Sequence, residues 1–390
     1  MPAFSSEERQ LLHDSATEYF ADRYGPERAL ALTRDDGPDG FGRAEWKSYA
    51  ELGWLGLMLP EDAGGSEGGL TEAAILFAAA GAELAAEPLI PCLVLGAGAV
   101  TGLGTEAQQA ALEGVAEGEK ILGFLHYEPG SGFARDHVET IARPTADGYA
   151  LTGDKAFSAG AHAADLLVVS ARIGGPDGPV GLFLVPGDAG GLHRVPAPAL
   201  DGRRGAAATL DGVAVSADAL LGGTTDDRLA AIDRLLDRAA LAVCADMLGA
   251  MTKASEITTD YLKTREQFGQ KLASFQVLQH RLVDMRICCE ESRAAIHAAL
   301  TAQDENAPDA AIAAWRAKAE TARAARFVGG QGVQLHGGMG MTDDLGIGHY
   351  YKRLSVNEAL FGDAAWHIDR LAAREDARAA QPAAPEMAGA

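Results

Sequence analysis

Residues 261–285 read YLKTREQFGQKLASFQVLQHRLVDM, and the fold of the chain turns on how Arg265, Phe268, Gly269, Phe275 and Gln276 are read. On helical spacing Arg265, Phe268 and Leu272 share one face, while Glu266 and Gln270 point elsewhere. A guanidinium beside an aromatic ring suits a pyrophosphate and a flat ring system. Further on, Gln334-Leu335-His336-Gly337-Gly338-Met339-Gly340 is a glycine-rich turn whose amides can approach a ligand closely. Each piece has a plain alternative: a solvated arginine, a core phenylalanine, a glycine that ends a helix. The residues before the turn read as helix, so it is not a dinucleotide-binding fingerprint. The joint occurrence of the pieces, in this order, carries the weight.

The chain has 390 residues, 47% of them hydrophobic, enough for several packed layers and more than one core. A formal net charge of −22 argues against nucleic acid and anionic membrane surfaces as partners. Any phosphate-bearing ligand must therefore meet local Arg, Lys or backbone N–H groups. Cys92, Cys244, Cys288 and Cys289 show no CxxC spacing, so reduced thiols in a cytoplasmic protein are expected rather than a metal or redox site. The N-terminus lacks a basic segment followed by an apolar one. No run reaches about 18 apolar residues, so neither export nor a membrane span is indicated.

Residues 1–120 read as helical. Ser5 and Ser6 stand ahead of Glu7 and Glu8 as a helix start, and Ala73 to Glu87 is an alanine-rich helix stopped near Pro88. From 121 to 225 short apolar runs (Ile121–His126, Tyr149–Thr152, Leu166–Ala171, Val180–Val185) alternate with Gly, Pro and Asp, predicting an antiparallel sheet with tight turns at Asp147-Gly148 and Asp177-Gly178. From 226 to 376 the helical period returns, through Thr264 and then roughly over 273–303 and 308–332, predicting a four-helix bundle. Residues 377–390 are an Ala/Pro-rich tail expected to fray. The fold class is α+β in three domains: helices, a small β domain, then helices.

Together the motifs resemble the flavin-contacting signatures of the acyl-CoA dehydrogenase family. Gly53-Trp54-Leu55-Gly56 with Pro60-Glu61 and Gly64-Gly65 is similar to its N-terminal domain. Leu151-Thr152-Gly153-Asp154-Lys155 with Ala164-Asp165 is similar to its middle domain, so the resemblance covers residues 4 to 373. It implies FAD, an acyl-CoA substrate, and an electron-transferring flavoprotein as the default acceptor. In the family the residues matching Arg265, Phe268, Leu272, Gln276, Gln334, Gly337 and Gly338 hold the adenosine-diphosphate half of a neighbouring subunit's FAD.

This chain departs from the family in three places. The family removes an α-proton with a glutamate, and both positions where members carry it are changed. Phe361 occupies the one before Gly362, and Ala239 the one on the long helix before Arg265. Neither side chain can act as a base. Asp363 is the nearest substitute, with Glu358 behind it. The segment whose hydroxyls meet the flavin ring is shortened to Tyr127-Glu128-Pro129-Gly130-Ser131-Gly132, leaving Ser131 as its remnant. After Lys155, Phe157 keeps the aromatic of the family's Trp-Ile-Thr, but Ala159 has lost the hydroxyl. On the substrate side, Ala240 replaces an arginine.

The motifs for a neighbour's flavin are therefore intact, while those for this chain's own ring and base are worn. One expectation accounts for both: a base-lacking subunit in a heterotetramer with a related chain, as in bacterial pairs built from two copies of each. The alternatives are a homotetrameric dehydrogenase using Asp363, a flavin oxidase or monooxygenase, and a scaffold without flavin. No metal is expected.

Overall fold

The computed structural model describes residues 4–34, 39–342 and 345–379. Among the described residues seven helices come first: α1 (Ser6–Arg23), α2 (Pro26–Arg34), α3 (Arg43–Glu51), α4 (Leu70–Ala82), α5 (Gly98–Leu103), α6 (Glu106–Gln109) and α7 (Glu113–Ala116). The start at Ser5 is as expected. Its hydroxyl accepts from Glu8 N while the Glu8 carboxylate accepts from Ser5 N at 2.7 Å, a reciprocal cap. The alanine-rich helix is shorter than predicted, because Leu84 takes a left-handed φ of 61° and breaks the period. After it the chain makes a π-helical turn, Ile90–Ala97, whose Pro91 and Leu95 face the cavity described below.

The middle domain is a sheet of β1 (Leu122–Leu125), β2 (Ile141–Pro144), β3 (Gly148–Ala159), β4 (Leu166–Ile173), β5 (Val180–Pro186), β6 (Leu192–Pro198) and β7 (Arg204–Ser216). Its order is β1-β4-β2-β3-β7-β6, with β5 on the other edge of β4. Most pairings are antiparallel as expected, but β4 runs parallel to both β1 and β2. Parallel pairing needs a crossover of a dozen residues or more, and the long Tyr127–Thr140 excursion with the β2–β3 hairpin supplies it. Leu125, Leu151, Leu167, Val169, Phe183, Leu210 and Val213 fill the core behind the sheet. Strands β2, β6 and β7 were not legible, since their exposed faces interrupt the apolar runs.

The C-terminal bundle has α8 (Leu229–Thr264), α9 (Gln276–Asp304), α10 (Ala310–His336), α11 (Ile347–Ala359) and α12 (Ala364–Ala379). The tail expected from 377 is helical to Ala379, and its remainder lies outside the described residues. Helix α4 packs on α8 at backbone distance: a Cβ at Gly249 would sit 1.9 Å from Ala78 O. Only glycine permits this approach, so the small residues of α8 serve helix contact here. Where the domains meet, Arg353 donates to Asp246 at 2.8 and 3.0 Å and to Ala85 O at 2.7 Å. Arg203 bridges Asp201 and Asn357, each at 2.6 Å. These buried charges are paired and hydrogen-bonded, which is how a protein interior tolerates them.

Candidate active site and cofactor surface

A cavity of about 360 Å³ opens between the sheet and the bundle. Its walls come from the end of β1 and the loop after it (Phe124 to Phe133), from Ala156–Ala159 on β3, from Leu236 on α8 and from Ala359–Phe361 where α11 ends. Phe124, Phe133, Phe157 and Phe361 put four phenyl rings on its walls.

Its acid is already committed. Glu128 accepts from Lys155 Nζ at 2.6 Å, Thr140 Oγ1 at 2.6 Å, Glu139 N at 2.6 Å and Thr140 N at 3.1 Å. Burial would raise its carboxyl, but the Lys155 ammonium and these donors hold it below the usual range. Burial pushes Lys155 down to about 8, opposed by Glu128, so the pair is ionised at neutral pH. Burial and the Lys155 charge push His126 down to about 3. The cavity therefore offers no uncommitted carboxylate.

The predicted residues of this chain's own site fall around that cavity in different ways. Ser131 lines it, but its Oγ accepts from Glu128 N at 3.3 Å and lies 3.4 Å from Gly132 O. Phe157 lines it and stays 40% exposed. Phe361 lines it with a left-handed φ of 61°. Ala239 is wholly buried in α8, away from the cavity wall. Its neighbour Asp237 accepts from Arg135 at 2.7 Å, Trp315 Nε1 at 3.0 Å and Arg370 at 3.3 Å. Asp363 accepts from Trp366 N at 2.8 Å and caps α12, and Glu358 pairs with Arg326 at 2.7 Å. Neither of these two acids lines the cavity.

The other predicted residues gather on a separate surface where α8 ends, α9 begins and α10 stops. The shared helical face expected for Arg265, Phe268 and Leu272 is corrected here. Helix α8 ends at Thr264, and two short strands follow, β8 (Glu266–Gln267) and β9 (Gln270–Lys271). Phe268 and Gly269 join them with φ of 56° and 77°, the two positive values of a tight hairpin turn. Leu272 N closes the hairpin on Arg265 O at 2.9 Å. Arg265 thus sits at the hairpin's base and Phe268, 88% exposed, at its tip. Gln276 opens α9, whose first turn has no side-chain cap and so presents free N–H groups. The end of α10 is brought alongside by Tyr261, which stacks on His336 at 4.3 Å. There Gln334, Gly337 and Gly338 are exposed, and nothing lies within 4 Å of a Cβ built on either glycine. No ion pair of Arg265 occurs among the described residues, and none of this set touches the aromatic cavity.

Sequence reading missed the roles of Glu128 with Lys155, of Asp237, and of Lys318. Lys318 is wholly buried on α10. The signal was its phase: Ala314, Thr321, Ala325 and Val328 mark the same buried stripe.

Residues 6–119, 123–211 and 229–375 match the N-terminal, middle and C-terminal domains of acyl-CoA dehydrogenase. The chain is 30% identical to the probable acyl-CoA dehydrogenase YngJ of Bacillus subtilis, over 84% of this chain and 87% of that protein. Among solved structures it is similar to a variant of the Tcur3481–Tcur3483 steroid ACAD, with a TM-score of 0.86, 33% identity and coverage of 96% and 99%. It is also similar to the ChsE4–ChsE5 complex of Mycobacterium tuberculosis, with a TM-score of 0.86, 27% identity and coverage of 98% and 100%.

Proposed function

The chain belongs to the acyl-CoA dehydrogenase family of FAD-dependent oxidoreductases acting on CH–CH, and from that membership we propose that it is the base-lacking subunit of a hetero-oligomer. A related partner would supply the catalytic carboxylate. The observation that carries this reading is Phe361 on the cavity wall, with Glu128 paired to Lys155 and Ala239 sealed inside α8.

The uncommitted surface fits an adenosine-diphosphate group by its chemistry. The Arg265 guanidinium and the bare start of α9 suit a pyrophosphate. The carboxamides of Gln276 and Gln334 and the backbone at Gly337–Gly338 suit the rest of the nucleotide. Bound FAD supplies the acceptor of the β-hydride in α,β-dehydrogenation. Because this surface and the cavity do not meet within one chain, we assign the surface to a flavin whose ring lies in the partner. Similarity to the two-component ChsE4–ChsE5 complex supports a heterotetramer. Similarity to the steroid ACAD, together with the aromatic cavity, supports a bulky acyl group. An electron-transferring flavoprotein is the acceptor we expect, in the cytoplasm. No helix of the described residues is long and apolar enough to cross a membrane.

The test is flavin absorbance per chain, for this protein purified alone and after co-expression with the related chain encoded beside it. The expected result is little flavin alone and one flavin for each pair of unlike chains in the complex. One flavin per chain from the protein alone would overturn the reading and return attention to Asp363 as a base, or to oxidase chemistry.

A further inference from the structure

The wall of the cavity that carries Phe361 is held from behind by a charge that the proposed function does not use. Lys318 has 0% relative exposure and makes no ion pair among the described residues. Its ammonium instead donates to three carbonyls: Asn357 O at 3.2 Å, Glu358 O at 2.7 Å and Gly362 O at 2.8 Å. The first two are carbonyls left over at the end of α11. The third lies beyond the turn, so the three N–H groups gather both arms of it at one point. Between them Leu360 is extended (φ −67°, ψ 132°) and Phe361 is left-handed. That conformation is unfavourable for phenylalanine and persists only where the surroundings over-determine it. Gly362 follows with φ of 108°, and a Cβ there would lie 2.4 Å from the Trp366 ring.

We propose that Lys318 is the positioning residue of this turn: by gathering the carbonyls of Asn357, Glu358 and Gly362 it sets the backbone at 361, so that the side chain there faces the cavity. The inference rests on reading this cavity as a site that has lost its base. It adds that the slot itself is still built.

The groups facing Lys318 leave the ammonium to the carbonyls. Glu358 of α11 is tied to Arg326, and Asp363 caps α12. On α8, burial pushes the Cys244 thiol up to about 11. On α12, burial and the charge of Lys318 push His367 down to about 3, and its Nε2 lies 3.2 Å from Phe361 O.

The experiment compares the thermal midpoints of Phe361→Gly and Phe361→Ala in the full chain. Both remove the phenyl ring, but only glycine adopts a positive φ without strain. A turn fixed by Lys318 therefore makes the glycine variant melt above the alanine variant. In a Lys318→Met background the turn relaxes, and the order should vanish or reverse. If Lys318→Met does not fold, the same pair is followed from roughly pH 7 to pH 10, across the alkaline range where lysines titrate. Burial pushes Lys318 down to about 8, so the gap should narrow as the ammonium loses a donor. The proposal is overturned if alanine melts at or above glycine in the parent. It is equally overturned by a gap that persists in the Lys318→Met background or, where that variant does not fold, across the pH range. These midpoints need no flavin, so this outcome is separable from the flavin count of the complex.

Discussion

The surface around Arg265 and the cavity around Phe361 carry similar residue types in opposite states. On the surface, Arg265, Gln276 and Gln334 are exposed and Phe268 stands in solvent. On the cavity wall Glu128 and Ser131 bond to other parts of the protein, and so does Lys155, buried behind Glu128. A polar group left free by its own chain is available to a ligand, whereas one tied into a buried network serves the fold. A motif residue therefore points to a ligand only where its polar atoms are left uncommitted by the fold.

The largest effect expected is on the committed side. Glu128→Gln removes one partner of a buried pair and leaves the Lys155 ammonium uncompensated, a change worth about 3–5 kcal/mol. The sign with pH follows from the lowered carboxyl of Glu128. Its stabilisation is complete above the unfolded glutamate range and is lost as pH falls through the lower folded value. Denaturant melts from neutral to acid pH should therefore show a steep acid limb in the parent, less steep in the variant. A melt like the parent's at neutral pH would mean that the pair is not integral to the cavity.

Next in size is the uncommitted side. Arg265→Gln, in the complex with the partner chain, removes a charged hydrogen-bond donor to phosphate, worth about 1.5–3 kcal/mol. The flavin dissociation constant should rise by roughly ten- to a hundredfold. The thermal midpoint of the flavin-free chain should not move, because Arg265 is exposed. A lower midpoint with unchanged flavin binding would reverse the comparison.

How far the sequence reached follows the same division. The order helices–sheet–helices was legible because α8, α9 and α10 carry long apolar periods and β1, β4 and β5 are continuous apolar runs. The parallel pairs of β4 were hidden, since strand direction depends on a crossover that no local pattern records. The motif residues do gather on one surface, but not on the single helical face expected of Arg265, Phe268 and Leu272. Phe268 followed by Gly269 was itself a turn signal, overridden by the pull of the flanking helices. The cavity was legible at Phe361 and Phe157, where a residue stands in a slot. It was illegible at Lys318 and Asp237, whose work is done through carbonyls and side chains far off in the chain.

The smallest effect expected is that of Phe157→Ala. Phe157 is 40% exposed at the mouth of the cavity, so truncation should change stability by about 0.5 kcal/mol or less. If the flavin of the complex has its ring in the partner, its content and dissociation constant should match those of the unaltered complex. Arg265→Gln and Phe157→Ala then separate cleanly by titration of flavin into the same assembly. A loss of flavin on Phe157→Ala as large as that on Arg265→Gln would put a working ring site in this chain. The cavity would then be an active flavin site whose base had yet to be found, and the division between the two regions would collapse.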